Sequence, residues 1–76
     1  MKKEISQVNK KRLEAIAGYI RELRFSDGLT QAEVGENVNL HQNTIARIEN
    51  AKNVTLTTIF DLADYYQIPI HQLFNE

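Results

Sequence analysis

The side chains best suited to specific chemistry in this sequence lie close together: the amides Gln42 and Asn43, the guanidinium Arg47, and Thr44 among them. A Gln or Asn amide matches N6 and N7 of adenine in bidentate fashion, and Arg matches O6 and N7 of guanine. Thr44 offers a hydroxyl suited either to a base edge or to a phosphate. Ala46, between the polar residues, is small enough to touch a thymine methyl. Other kinds of chemistry have little material. There is no Cys, hence no disulfide, thiolate zinc site or thiol nucleophile. His41 and His71 stand far apart with no neighbouring ligand type, a poor zinc set. No nucleophile–base pair, metal cluster or phosphate-cradling glycine loop occurs, so an enzyme is not expected, nor a metal, another cofactor or a small-molecule ligand.

Those side chains face outward together only on a helix that is itself firmly seated. The chain has 76 residues, 42% of them apolar and 25% charged, with three Gly and one Pro. That describes one small all-α domain with short connections, because strict β-type alternation never persists. A first helix is predicted over about residues 9–25, with Asn9 as N-cap and Leu13, Ile16, Ala17, Ile20 and Leu23 on one face. Ser26-Asp27-Gly28 then stops it. Thr30, with Glu33 three residues on, forms a capping box that opens a second helix from Gln31 to Asn37 or Val38. Asn39 tolerates a left-handed backbone and suits a tight turn. A third helix follows from His41 or Gln42 to Asn50, carrying Ile45 and Ile48 inward. Thr55 caps a fourth, whose inner face reads Leu56, Ile59, Leu62, Ala63 and Tyr66. Pro69 ends that helix and starts a last turn over Ile70–Phe74. Val34, Val38, Leu40, Ile45 and Ile48 form the small core beneath the second and third helices.

Two short helices joined by a tight turn, the second polar at its start, make a helix-turn-helix pattern. The run Gln31-Ala32-Glu33-Val34-Gly35, then Asn39, Thr44-Ile45 and Arg47-Ile48-Glu49-Asn50, resembles the Cro/C1-type (Xre) family of transcriptional regulators. The resemblance extends from about residue 13 to residue 74 and includes the closing Ile-Pro-Ile-His-Gln-Leu-Phe. It implies a five-helix, lambda-repressor-like domain over residues 9–76, with residues 1–8 as a flexible basic arm. It also implies binding to double-stranded DNA, with Gln42, Asn43, Thr44 and Arg47 reading bases from the major groove.

Further roles follow from the matched positions. Gln31 is expected to hold a phosphate and support Gln42. His41, at the N-cap, is suited to a phosphate or simply to solvent. Asn50 and Lys52 are expected phosphate contacts on the far flank. Arg24 and Glu49 match a partly buried ion pair that braces the first helix against the third, a role compatible with Arg24 also lying beside a phosphate. Gly35 is expected because the third helix crosses close above it. Asn39 departs from the Gly usual at the turn.

One recognition helix makes few contacts, so members of this family bind palindromic sites as two-fold dimers. Phe60, Tyr65, Ile70 and Phe74 remain after the core is filled and are the expected homodimer interface, with Phe74 also suited to the interior. The chain is similar to short single-domain members such as phage repressors and restriction–modification controller proteins, and a sensing domain is not expected. A protein-interaction or antitoxin module built on the same bundle is the rival reading.

Charge first argues against a DNA protein. Nine Lys and Arg against ten Asp and Glu give a net charge of −1. The charges are segregated, however. Lys2, Lys3, Lys10, Lys11, Arg12, Arg21 and Arg24 against Glu4, Glu14 and Glu22 leave the first 24 residues at +4, and the rest of the chain carries −5. Such a molecule should bind DNA through a basic side and good base contacts rather than through bulk charge. The start of the chain has no apolar segment of signal-peptide type, and no apolar run approaches the roughly 18 residues of a membrane span. A cytoplasmic protein is expected.

Overall fold

Apolar residues at helical spacing, separated by residues that permit a left-handed stop, dictate the architecture. A computed structural model describes residues 7–52 and 54–74. Its elements are α1 (Gln7–Asp27), α2 (Gln31–Val38), α3 (Gln42–Glu49), α4 (Leu56–Tyr66) and a 3₁₀ helix (Ile70–Phe74). The five expected helices are therefore four α-helices and one 3₁₀ turn. α2 packs most extensively on α3, α1 lies against α3 and the 3₁₀ helix, and α4 contacts α2 and the 3₁₀ helix.

α1 is longer than predicted. Asn9 lies inside it, not at its cap, and accepts a hydrogen bond from Arg12 Nη1 at 3.2 Å. Ser26 and Asp27 stay helical because the reversal occurs only at Gly28, where φ is 68°. Of the expected arm, residues 1–6 lie outside the described residues, and Gln7 and Val8 are helical.

All four α-helices end in the same way. In each, the residue after the helix, or one beyond it, is left-handed: Gly28, Asn39 (φ 59°), Ala51 (φ 58°) and Gln67 (φ 59°). The following amide then reaches back to a carbonyl five residues earlier, as in Leu29 N to Arg24 O at 3.2 Å, Leu40 N to Gly35 O at 2.7 Å, Lys52 N to Arg47 O at 2.9 Å and Ile68 N to Ala63 O at 3.0 Å. Only the first of these stops uses glycine.

The core gathers Ile16 and Ile20 from α1, Val34 from α2, Ile45 and Ile48 from α3, Ile59, Leu62 and Ala63 from α4, and Leu73. Every helix thus buries one stripe against the others. Val38 and Leu40 pack on this core but are only half-buried, as are Leu13 and Leu23. Leu56 departs from expectation and is 55% exposed. It is the first residue of α4.

Candidate nucleic-acid interface

The geometry of α2 and α3 begins with their caps. Thr30 Oγ1 accepts from Glu33 N at 3.1 Å, and Glu33 Oε1 accepts from Thr30 N at 2.8 Å, so two otherwise unpaired amides of α2 are satisfied reciprocally. The turn out of α2 folds back so tightly that a Cβ on Gly35 would stand 2.6 Å from the Leu40 carbonyl oxygen and 3.3 Å from Gln42 N. Glycine is therefore required here by the turn and the first residue of α3, a closer obstacle than the body of a crossing helix. At the entry to α3, His41 has extended backbone and its Nδ1 accepts from Asn43 N at 3.0 Å.

α3 then divides cleanly between two environments. Ile45, Ile48 and Glu49 are buried, whereas Gln42, Asn43 and Arg47 are exposed. Thr44 and Ala46 are half-buried at the margin. Asn50 and Lys52 are exposed just beyond the helix, and Asn50 N closes its last turn on Ala46 O at 2.9 Å.

Glu49 is the polar centre of the assembly. It is 2% exposed, yet its carboxylate is fully engaged. Oε2 accepts from Arg24 Nε at 2.7 Å, and Oε1 accepts from Arg24 Nη2 at 2.8 Å and from Gln31 Nε2 at 3.2 Å. Arg24 Nη1 also donates to Leu29 O at 2.9 Å, and Arg21 Nη2 donates to the Glu49 carbonyl. One carboxylate thus joins α1, α2 and α3. Donating hydrogen bonds to the Glu49 carboxylate raises the Arg24 pKa above its ordinary value, so the guanidinium is held charged. A paired, hydrogen-bonded charge of this kind is tolerated inside a protein where a lone one is not.

The structure distributes the expected site residues unevenly. Gln42, Asn43, Thr44 and Arg47 share α3, with His41 at its head and Asn50 and Lys52 at its tail. Gln31 stands at the start of α2 with its amide turned to Glu49, where support of Gln42 was expected. Arg24 meets Glu49 bidentately, and with three nitrogens bonded internally and only 11% of its side chain exposed it has little surface left for a phosphate. Among the expected interface residues, Phe60 is 43% and Phe74 50% exposed. Tyr65 and Ile70 instead pack partly on the core, and Tyr65 Oη accepts from Asn37 Nδ2 at 2.9 Å.

Three features had no local signal in the sequence. The Arg21 and Gln31 bonds to Glu49 span 28 and 18 residues. Only the spacing of Arg21 and Arg24, one turn apart on α1, hinted that both face one partner. The third is Tyr66, half-buried on α4, whose buried hydroxyl has no hydrogen-bond partner among the described residues. Burial, reinforced by the nearby Glu49 charge, pushes its pKa up to about 12.

This arrangement, a short helix held rigidly from below with amides and an arginine facing solvent, agrees with the comparison against known families. A helix-turn-helix family model matches residues 20–73. The chain belongs to the Cro/C1-type helix-turn-helix family. Members are DNA-binding transcription regulators, and the family is not one of enzymes. No curated protein matches the chain. The match covers the end of α1, the whole helix-turn-helix unit, α4 and most of the 3₁₀ helix, which places the Glu49 centre inside the family domain. Among the described residues no helix is long and apolar enough to cross a membrane, and no group of three or more potential metal ligands occurs.

Proposed function

We propose that this chain is a sequence-specific regulator of transcription, a repressor or autoregulator, that binds a palindromic operator in double-stranded DNA as a homodimer in the cytoplasm. One observation carries the reading: Gln42, Asn43 and Arg47 are exposed together on α3 while its opposite face is buried. In this reading α3 enters the major groove, its N-terminal residues facing base edges. Gln42, Asn43 and Arg47 read bases, with Thr44 at the edge of the contact. Gln31, His41, Asn50 and Lys52 hold phosphates, and Arg24 serves the brace. Residues 9–76 act as the DNA-binding domain, whose first helix begins two residues earlier at Gln7, with the basic segment before that helix serving as an arm. Exposed Phe60 and Phe74 support a homodimer surface, with Tyr65 and Ile70 contributing from its margin.

Selection from a random duplex pool, followed by titration of the enriched site, tests this reading. The expected site is an inverted repeat with half-site centres about one helical turn apart. Affinity should fall steeply with salt. Lys52→Ala should weaken selected and random duplexes alike, whereas Arg47→Ala should weaken the selected one more, by about 1–3 kcal/mol at one base pair. Failure to enrich a site, or equal losses for Arg47→Ala on both duplexes, contradicts the assignment. Sedimentation showing only monomer at high micromolar concentration contradicts the homodimer.

A second reading, a protein-interaction or antitoxin module, has one specific observation in its favour. An open groove of about 490 Å³, lined by Val8, Ala15, Ile16, Leu73 and Phe74 and edged by Lys11 and Arg12, suits an apolar segment carrying acidic residues. Binding of such a partner without any selected DNA site would favour that reading.

A further inference from the structure

His41 occupies a position where Ser, Thr, Asp or Asn more commonly begins a helix. A hydroxyl donates and accepts through one oxygen, whereas an imidazole divides those tasks between two nitrogens. Here the division is set by the fold. Nδ1 accepts the Asn43 amide at 3.0 Å, and the His41 carbonyl accepts from Thr44 N at 2.9 Å and Ile45 N at 3.4 Å. An Nδ1 that accepts from an amide turns its lone pair to that amide, so the tautomer this geometry selects carries its ring proton on Nε2.

We propose that His41 is a positioning residue that works as a neutral relay: Nδ1 fixes the first turn of α3 through Asn43, and Nε2–H is the side-chain donor offered to a DNA phosphate. The relay rests on the reading of α3 as the recognition helix. Its consequence runs against the usual electrostatics of DNA binding. Added positive charge at position 41 strengthens attraction to phosphate, but an ammonium has no lone pair with which to cap the Asn43 amide. It also places a cation at the positive end of the helix dipole. Base reading by Gln42 and Asn43 then suffers even as general attraction to DNA rises. Asn, in contrast, keeps both functions, because its Oδ1 accepts and its Nδ2 donates.

Two measurements test the relay. In a long-range proton–nitrogen spectrum of the free full-length chain, Nδ1 of His41 should resonate as an unprotonated ring nitrogen and Nε2 as a protonated one. In titrations of the selected duplex, His41→Asn should bind within about threefold of the parent, while His41→Lys should bind about tenfold more weakly, as loss of a cap plus an unfavourable dipole contact implies. The same His41→Lys variant should bind a random duplex as well as the parent or better. A proton on Nδ1 in the free chain, or a His41→Lys variant that binds the selected duplex as tightly as the parent, overturns the relay. A parent chain that binds no duplex contradicts the recognition-helix reading instead, and the nitrogen spectrum still decides the cap.

Discussion

The α2–α3 unit and the α4–3₁₀ unit are of similar size and both bury apolar side chains, but they differ in what is added to that burial. To its buried Ile45 and Ile48 α3 adds groups with directional demands: the Glu49 carboxylate with its Arg24 and Gln31 donors, the Leu40 carbonyl against Gly35, and the His41 cap. α4 and the 3₁₀ helix are fixed mainly by the buried side chains Ile59, Leu62, Ala63 and Leu73. Their side-chain links to other elements, Asn37 to Tyr65 and Tyr19 to Gln72 at 3.0 Å, are exposed. Directional contacts define one orientation of a helix, which a surface reading base edges requires. Apolar packing tolerates small adjustments, which suits a part of the molecule whose exposed Phe60 and Phe74 are proposed to meet another subunit.

The largest expected effect breaks the directional half at its centre. Glu49→Ala leaves the Arg24 guanidinium with little solvent and no carboxylate, at a cost of about 3–5 kcal/mol. That is a large share of the stability of a small domain, so thermal or urea unfolding should show a midpoint far below that of the parent. A midpoint within a few degrees of the parent would remove the brace from the account.

Next come two glycines inside helices. Gly35→Ala drives a Cβ to 2.6 Å from a backbone oxygen, a clash that only movement of the turn relieves, and should cost about 1–3 kcal/mol. Gly18, in α1, has nothing within 4 Å of its would-be Cβ, so Gly18→Ala should instead stabilise the chain by about 0.5–1 kcal/mol. Opposite signs in the two denaturation curves support the close approach, and equal signs contradict it.

Helix ends provide a finer comparison between the two units. Ala51 after α3 and Gln67 after α4 both hold φ near 58–59°, which L side chains adopt at a cost. Ala51→Gly and Gln67→Gly should each raise stability by about 1 kcal/mol. Asn39→Gly should give less, because Asn accepts this conformation more readily.

The smallest effect concerns Tyr66. Its pKa is raised from the ordinary 10 to about 12, so the folded state favours the neutral phenol. The associated stability is fully present below pH 10 and is lost as pH rises from 10 towards 12. Tyr66→Phe, which also removes the unpartnered buried hydroxyl, should make alkaline unfolding less steep. An unchanged alkaline profile contradicts the assignment of that loss to Tyr66.

Local chemistry explains what the sequence made legible. Thr30 with Glu33, Thr55 before α4, Asn39 at the turn and Pro69 before the last turn all act within a few residues, and each marks its element in the structure. Apolar spacing predicted the buried stripes of α1 and α3 for the same reason. The Arg24–Glu49 pair spans 25 residues and was reached only through family resemblance. The Arg21 and Gln31 links to Glu49 lay beyond that resemblance, because a side chain's choice among distant acceptors depends on how helices meet. Leu56 fits the stripe of α4 by spacing, yet it stands exposed, since periodicity identifies a face and not how far along it the neighbouring elements reach.

The central claim is that α3, and not the α4–3₁₀ unit, is the surface that reads DNA. Amide and side-chain NMR during titration with the selected duplex tests it most directly. Intermolecular contacts are expected from Gln42, Asn43 and Arg47 to bases, with phosphate-side perturbations at Gln31, His41, Asn50 and Lys52. Contacts to DNA centred instead on Phe60, Phe74 or the groove beside Lys11 and Arg12, with α3 unperturbed, would contradict it.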